Sequence, residues 1–160
     1  MRRRPIRQAW ASRADPRVRV VLECQPESSP SIISSVIERH GYAVRTCEGP
    51  GRHGCDLLVN GVCALVDGAD VVVNMLRTPT VGRSILDEVA AIRRPPAIVA
   101  ERTHPRAFAA GDSAADAPDL DLDRITLIEA PVTGRHLIDA ITTAVMRRNQ
   151  PVPCWGDGFC

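Results

Sequence analysis

The stretch that most constrains the fold is the run Val71–Val73, which lies between Gly68 and Pro79. Consecutive β-branched residues without polar alternation are typical of a strand that is buried on both faces. Such a strand lies inside a parallel sheet that helices cover on each side. Because ligands in open α/β sheets bind at the carboxyl ends of the strands, Asn74 is the first candidate for a functional position.

Strand and helix patterns alternate along the rest of the chain. Apolar runs predict further strands at 17–23, 42–47, 97–100 and 125–128, and helical spacing predicts helices at 30–40, 82–94 and 134–148. Ser29 and Thr133 are predicted helix N-caps. This alternation predicts a doubly wound α/β domain with a five-stranded parallel sheet, in the flavodoxin-like strand order 2-1-3-4-5.

The segment 57–66 permits two structures. Asn60-Gly61 between apolar runs is typical of a β-hairpin turn. A connection between parallel strands requires a helix instead, although Gly61 would weaken it. We predict a short or irregular helical segment here.

Composition predicts one domain with two tails in a chain of 160 residues. Residues 1–16 are predicted to be a flexible basic tail, 17–148 the α/β domain, and 149–160 a tail rich in Cys, Trp and Gly. The formal net charge of +1 gives no strong signal for nucleic-acid binding. No apolar run reaches the length of about 18 residues that a membrane span requires, and no hydrophobic segment follows the first arginines, so we expect a cytoplasmic protein.

Residues 17–148 resemble the receiver domains of bacterial response regulators at three places. Val20–Glu23 is similar to the family's first strand, which ends in paired acids. His40–Arg45 resembles the usual entry into the second strand. Ile128–Val132 resembles the turn after the fifth strand, where Pro follows Lys in the family. Convergence onto a flavodoxin-like fold without this relationship is the alternative.

The resemblance implies a pocket in which Asp accepts a phosphoryl group, acids hold Mg²⁺, and a hydroxyl residue and a Lys contact the phosphate. The matching positions in this chain are Glu23 and Cys24 for the acids, Asn74 for the acceptor, Glu101 for the hydroxyl residue and Ala130 for the Lys. An amide is not a competent acceptor. We therefore predict a pseudo-receiver without catalytic residues or cofactor, which acts by binding protein partners.

The six cysteines support a second hypothesis, because structural disulfides are rare in a reducing compartment. Cys47, Cys55 and Cys63 recur every eight residues, and Cys154 and Cys160 lie near the end. If these thiols converge, they form a metal or iron–sulfur site or a redox pair, which makes the protein a thiol-based sensor. The alternative is that cysteines fill the core as small hydrophobic residues.

Two further features have more than one interpretation. Trp155 and Phe159 lie among glycines in the C-terminal tail, where they either dock on a partner or fold back onto the domain. A third and weaker hypothesis is a small enzyme with its site near Glu23, Asn74 and Glu101. The sequence predicts neither a particular partner nor an oligomeric state.

Overall fold

A computed structural model of the chain describes residue 10 and residues 15–50, 54–76, 79–102 and 124–150. The elements, in chain order, are β1 (Arg19–Cys24), α1 (Pro30–Arg39), β2 (Ala43–Cys47), α2 (Asp56–Asn60), α3 (Ala64–Asp67), β3 (Val71–Met75), α4 (Pro79–Ala91), β4 (Ala97–Arg102), β5 (Ile125–Glu129) and α5 (Gly134–Asn149). No helix among these residues is long and apolar enough to cross a membrane.

The five strands form one sheet in the order β2-β1-β3-β4-β5, and every neighbouring pair is parallel. Leu22 pairs with Val73, and Val73 pairs with Val99, so the three central strands are in continuous register. This arrangement confirms the predicted fold class and strand order. The central position of the valine run explains its lack of polar alternation.

The sheet separates two apolar layers, because successive side chains of a strand point to opposite faces. Leu22 and Val73 pack with Ile141 and its neighbours on the face that α1 and α5 cover. Val21 and Val72 pack with residues of α2, α3 and α4 on the other face. Side chains at odd-numbered positions of β1 therefore lie on the face that α2, α3 and α4 cover. Glu23, near the end of β1, is on that face.

The segment 57–66 is helical rather than a hairpin, as predicted. It contains α2 and α3, which are separated at Gly61. Gly61 has a φ of +68°, and its N–H donates to the carbonyl oxygen of Leu57 at 2.9 Å. A glycine in this left-handed conformation is the usual way to end a helix, so the Asn-Gly pair terminates α2 instead of forming a hairpin turn.

At the helix ends, Thr133 and Ser29 lie at their predicted N-cap positions, and the predicted start of α4 is wrong. Thr133 caps α5, with its hydroxyl oxygen accepting from the His136 N–H at 3.3 Å. Ser29 is the N-cap residue of α1 and Pro30 follows it, as predicted, but the Ser29 side chain makes no capping hydrogen bond; its φ is +56° after a 3₁₀ turn at Pro26–Ser28. Helix α4 begins at Pro79, earlier than the predicted 82, since proline has no N–H to leave unsatisfied in a first turn.

Trp10 packs against the domain near the end of the sheet at which the strands begin. Its indole N–H donates to the carbonyl oxygen of Leu65 at 2.9 Å. A Cβ added to Gly68 would overlap the indole ring. Part of the predicted tail thus contacts the domain, whereas the other residues of 1–14 and all of 151–160 lie outside the described residues. The division into a domain and two tails stays a prediction.

We expect Gly68→Ala to lower the free energy of unfolding by about 1–3 kcal/mol, because the methyl group would overlap the Trp10 ring. Gly68 has a φ of −97°, so alanine introduces no backbone strain there. Denaturant unfolding measures the change, and the same substitution in a Trp10→Ala background should cost less. Equal costs in the two backgrounds would show that the indole does not occupy this position.

Candidate functional site

Two polar side chains are buried at the carboxyl ends of the central strands. Glu23 of β1 and Asn74 of β3 are direct partners in the register of the sheet. They are 2% and 5% exposed, and they are the buried polar side chains of the described part of the chain. Their neighbours are apolar, so each needs a partner that replaces water.

Asn74 provides that partner. Its amide nitrogen donates to Oε2 of Glu23 at 2.8 Å, and it also lies 3.4 Å from the carbonyl oxygen of Gly82. The amide oxygen accepts from the Leu76 N–H at 3.4 Å. Both ends of the amide are therefore occupied. The strong contact is the one to Glu23, since the other two are at the long limit of hydrogen bonding.

The first turns of α4 cover this pair. A Cβ at Gly82 would lie 3.3 Å from the amide oxygen of Asn74 and 3.5 Å from the carbonyl oxygen of Leu76. A larger residue would meet Asn74 at a tight van der Waals distance, so glycine permits the close approach. The backbone of α4 at Gly82 therefore lies directly against the amide of Asn74.

Burial changes the acidity of Glu23. Loss of solvation raises the pKa of this carboxyl from its ordinary value of 4.5 to about 7, and the hydrogen bond from Asn74 opposes part of the rise. Desolvation penalises the charged form, whereas a donated hydrogen bond favours it. Glu23 thus holds its proton in mildly acidic solution, which makes it a poor ligand for a cation under those conditions.

The other predicted pocket residues also lie at or just after the carboxyl ends of their strands. Cys24 is buried in the layer of α1 and α5, on the opposite face from Glu23. Glu101 pairs in register with Ile128, which packs in that same layer, and Ala130 follows β5 in a cis peptide bond with Pro131. The structure therefore joins Glu23 and Asn74 and places Cys24 on the opposite face. Alternation along β1 explains the separation from Cys24, and the same rule could have predicted it.

Three cysteines line a small cavity beside Glu23. Cys47, Cys55 and Cys63 line one cavity with the Glu23 side chain, and its volume is about 10 Å³. This is close to the space that one water molecule needs. Among the described residues, no group of three or more His, Cys, Asp and Glu side chains is arranged to hold a metal ion. Cys154, Cys160, Trp155 and Phe159 lie outside the described residues, so their predicted roles stay predictions.

A larger, more polar cavity lies by β2 and had no signal in the sequence. It has a volume of about 80 Å³ and is lined by Trp10, Asp15, Arg17, Arg19, Glu38, Ala43, Val44 and Arg45. Asp15 and Arg17 are paired at 2.6 Å, and hydrogen bonds from Arg17 lower the pKa of Asp15 to about 2. The cavity holds acidic and basic groups together, so its charge does not select one class of ligand.

The fold is similar to that of solved receiver domains. The structure of a response regulator receiver domain protein from Clostridium thermocellum matches with a TM-score of 0.57 and 20% identity, over 82% of this chain and 96% of that one. A receiver domain protein from Bacillus halodurans gives 0.54 and 16%, over 80% and 97%. An adenylate cyclase structure from Rhodopirellula baltica gives 0.59 and 13%, over 83% and 90%. These likenesses show a receiver-like fold.

Comparisons of sequence alone add nothing to this result. No family model matches the chain, and no curated protein matches it. The receiver-like fold is therefore carried by the architecture, and the chemistry of the site has to be argued from this chain's own residues.

Glu23 makes the stability of the protein depend on pH. The folded state binds its proton more tightly than the unfolded state, so the free energy of unfolding should fall as pH rises from 4.5 to about 7. At roughly 1.4 kcal/mol per pKa unit, the loss contributed by this group is about 3 kcal/mol.

Glu23→Gln should remove that loss, because glutamine cannot ionise and can still accept from Asn74. Denaturant unfolding at several pH values measures the difference, and Glu38→Gln on the exposed surface is the matched control. Parallel pH profiles for the wild type and Glu23→Gln would contradict the prediction.

Proposed function

We propose that the chain is a non-enzymatic, receiver-like module for signalling or regulation, which binds protein partners and does not undergo aspartyl phosphorylation. One observation carries the proposal: the acceptor position is occupied by Asn74, whose amide is hydrogen-bonded to Glu23 at 2.8 Å. A carboxylate oxygen is the nucleophile in aspartyl phosphorylation, and an amide does not replace it.

The surroundings of Asn74 support the same proposal. Mg²⁺ takes hard oxygen ligands and usually binds through one or two carboxylates. Glu23 is the buried carboxyl group beside Asn74, and burial raises its pKa to about 7, so it is only partly ionised at neutral pH. Cys24, at the second acid position, packs on the opposite face. The site therefore lacks the paired charges that would hold a metal ion and stabilise a transferring phosphoryl group.

Partner binding would use surfaces that the domain does not bury. Val59 and Val62, between the middle of α2 and the start of α3, are 70% and 58% exposed, and Leu58 beside them is partly exposed. Exposed apolar side chains near each other are typical of interaction surfaces. The C-terminal tail adds Trp155 and Phe159, aromatic types that often contribute strongly to interfaces. We propose a cytoplasmic location for this activity.

Incubation with acetyl phosphate and Mg²⁺ tests the absence of phosphorylation. We expect the intact mass of the protein to remain unchanged, because Asn74 offers no carboxylate and Gly82 covers it. A receiver domain that carries Asp at this position, treated in parallel, is the positive control. A phosphoryl adduct that hydroxylamine removes would overturn the central proposal.

Removal of residues 151–160 tests the tail. We expect the shortened chain, which still contains all of α5, to keep its stability and to lose affinity for a partner captured by the full chain. A Trp155→Ala, Phe159→Ala variant of the full-length chain separates the aromatic contacts from the length of the tail. Partner affinity that is unchanged in both variants would remove the docking role.

The second candidate function is a thiol-based sensor. The observation behind it is that Cys47, Cys55 and Cys63 line one cavity, although the same three residues also pack against the apolar layer on that face of the sheet. A metal or iron–sulfur site would require the thiols to rearrange, because the described side chains are not placed to hold a metal ion. Metal analysis of anaerobically purified protein tests that version of the candidate.

A further inference from the structure

Exposed arginine side chains are concentrated at the end of the sheet at which the strands begin. Each lies in the segment that leads into a strand or in the last turn of α5. Six of them define this surface, which we call the basic end: Arg17, Arg93, Arg94, Arg124, Arg147 and Arg148. The formal net charge of +1 for the whole chain does not reveal this concentration, because acids elsewhere balance it.

Asp70, directly before β3, joins three of the segments at this end. Its carboxylate accepts from the Arg19 N–H at 2.9 Å and pairs with the Arg148 guanidinium at 3.1 Å. Its carbonyl oxygen accepts at 2.9 Å from the N–H of Ala97, which lies three residues after Arg94. The start of β1, the start of β4 and the end of α5 therefore meet around one residue.

Local acids neutralise only part of this charge. Asp15 pairs with Arg17 at 2.6 Å, and Asp70 pairs with Arg148. The other described acids near this end are Glu38 and Asp67. Within the described part of the chain, three members of the basic end form neither an ion pair nor a side-chain hydrogen bond: Arg93, Arg94 and Arg147. Positive charge therefore exceeds negative charge at this surface.

Helix dipoles explain only two of the six positions. The negative C-terminal end of a helix attracts cations within its last turn. Arg147 and Arg148 lie in the last turn of α5, whereas α4 ends at Ala91 with no basic residue in its last turn. Arg93 and Arg94 lie beyond that helix, so their placement needs another explanation.

The contact of Trp10 brings further arginines to the same end. The indole meets Leu65 and Gly68, and Gly68 lies two residues before Asp70. The chain that precedes Trp10 is therefore joined to the domain at the basic end, and it contains four more arginines: Arg2, Arg3, Arg4 and Arg7. At about 3.3 Å per residue, this segment can reach roughly 25–30 Å from the indole.

We propose that the basic end binds the phosphate backbone of a nucleic acid, without preference for base sequence. Guanidinium groups form paired, charge-assisted hydrogen bonds to phosphate oxygens. Neighbouring strands are about 4.8 Å apart, so the starts of β1 and β5 lie roughly 14 Å from each other. That span corresponds to about four base pairs along a duplex. This inference does not depend on the proposed binding of protein partners.

A nucleic acid suits this surface better than an anionic membrane does. Attachment to a lipid surface uses apolar side chains that enter the membrane, in addition to basic ones. The exposed large apolar side chains of the described residues lie elsewhere, except Met146 beside Arg147. The basic end therefore offers charge and hydrogen-bond donors but little apolar area.

The experiment measures the fluorescence anisotropy of a labelled duplex of about 20 base pairs as the full-length chain is added, at salt concentrations from about 50 to 200 mM. Release of counterions makes phosphate binding weaken steeply with salt. A second duplex of unrelated sequence tests for sequence preference, and phosphatidylserine vesicles test the lipid alternative. Circular dichroism shows that each variant is folded.

We expect the triple variant Arg93→Gln, Arg94→Gln, Arg147→Gln to bind the duplex at least about tenfold more weakly. The magnitude of its salt slope should fall by roughly two to three, since each phosphate contact contributes about one. Arg94→Gln and Arg135→Gln form a matched pair, because both sites are exposed and Arg135 lies at the opposite end, in the first turn of α5. Only Arg94→Gln should weaken binding.

Four results would overturn the proposal. One is the absence of duplex binding at the lowest salt concentration. Another is an equal loss in Arg94→Gln and Arg135→Gln, which would show attraction to total charge alone. Binding that is lost when Arg2, Arg3, Arg4 and Arg7 are all changed to Gln, but kept in the triple variant, would place the site on the N-terminal segment instead. Binding to the vesicles without binding to the duplex would assign the surface to a membrane.

Discussion

Double burial of β1 and β3 is the constraint on which the rest of the structure depends. Val21 and Leu22 of β1 and Val72 and Val73 of β3 are fully buried, and successive residues face opposite sides of the sheet. Each face then needs its own layer of helices, and each strand needs a parallel neighbour on both edges to satisfy its backbone. The central strands β1 and β3 meet that requirement, which leaves their carboxyl ends deep inside the domain.

That depth determines which polar residues can occur there together. A charged carboxylate loses its hydration at such a position, so Glu23 favours its neutral form. Asn74 can donate to Glu23 whether or not the acid is ionised, since its amide carries two N–H groups. An acid at position 74 would instead place two carboxyl groups within about 3 Å, where both cannot ionise freely. Asn74 at the acceptor position is therefore consistent with a buried Glu23 beside it.

The fold could be predicted because its signals are local. The valine run and Thr133 each specify their own structure, through side-chain shape and a hydroxyl group respectively. The position of Ser29 at the start of α1 could be predicted in the same way, but the absence of its side-chain hydrogen bond could not, because the preceding 3₁₀ turn sets its backbone. The start of α4 was missed because a proline within the first turn looks like part of a loop.

The site was less accessible to sequence reasoning, since it depends on contacts between distant segments. The hydrogen bond between Glu23 and Asn74 follows from the pairing of β1 with β3, which no spacing along the chain encodes. The eight-residue interval between cysteines carries no geometric meaning by itself. Cys47, Cys55 and Cys63 share a cavity because β2, α2 and α3 bring them to one face.

The contact of Trp10 with Leu65 and Gly68 gives the domain two ends with different properties. The indole lies near the amino ends of the strands, whereas Glu23 and Asn74 lie at the carboxyl ends. At about 3.3 Å per residue, the length of β1 separates the two ends by roughly 15–20 Å. Leu65 also lines the thiol cavity, so a change at Trp10 would reach one wall of that cavity through a single residue.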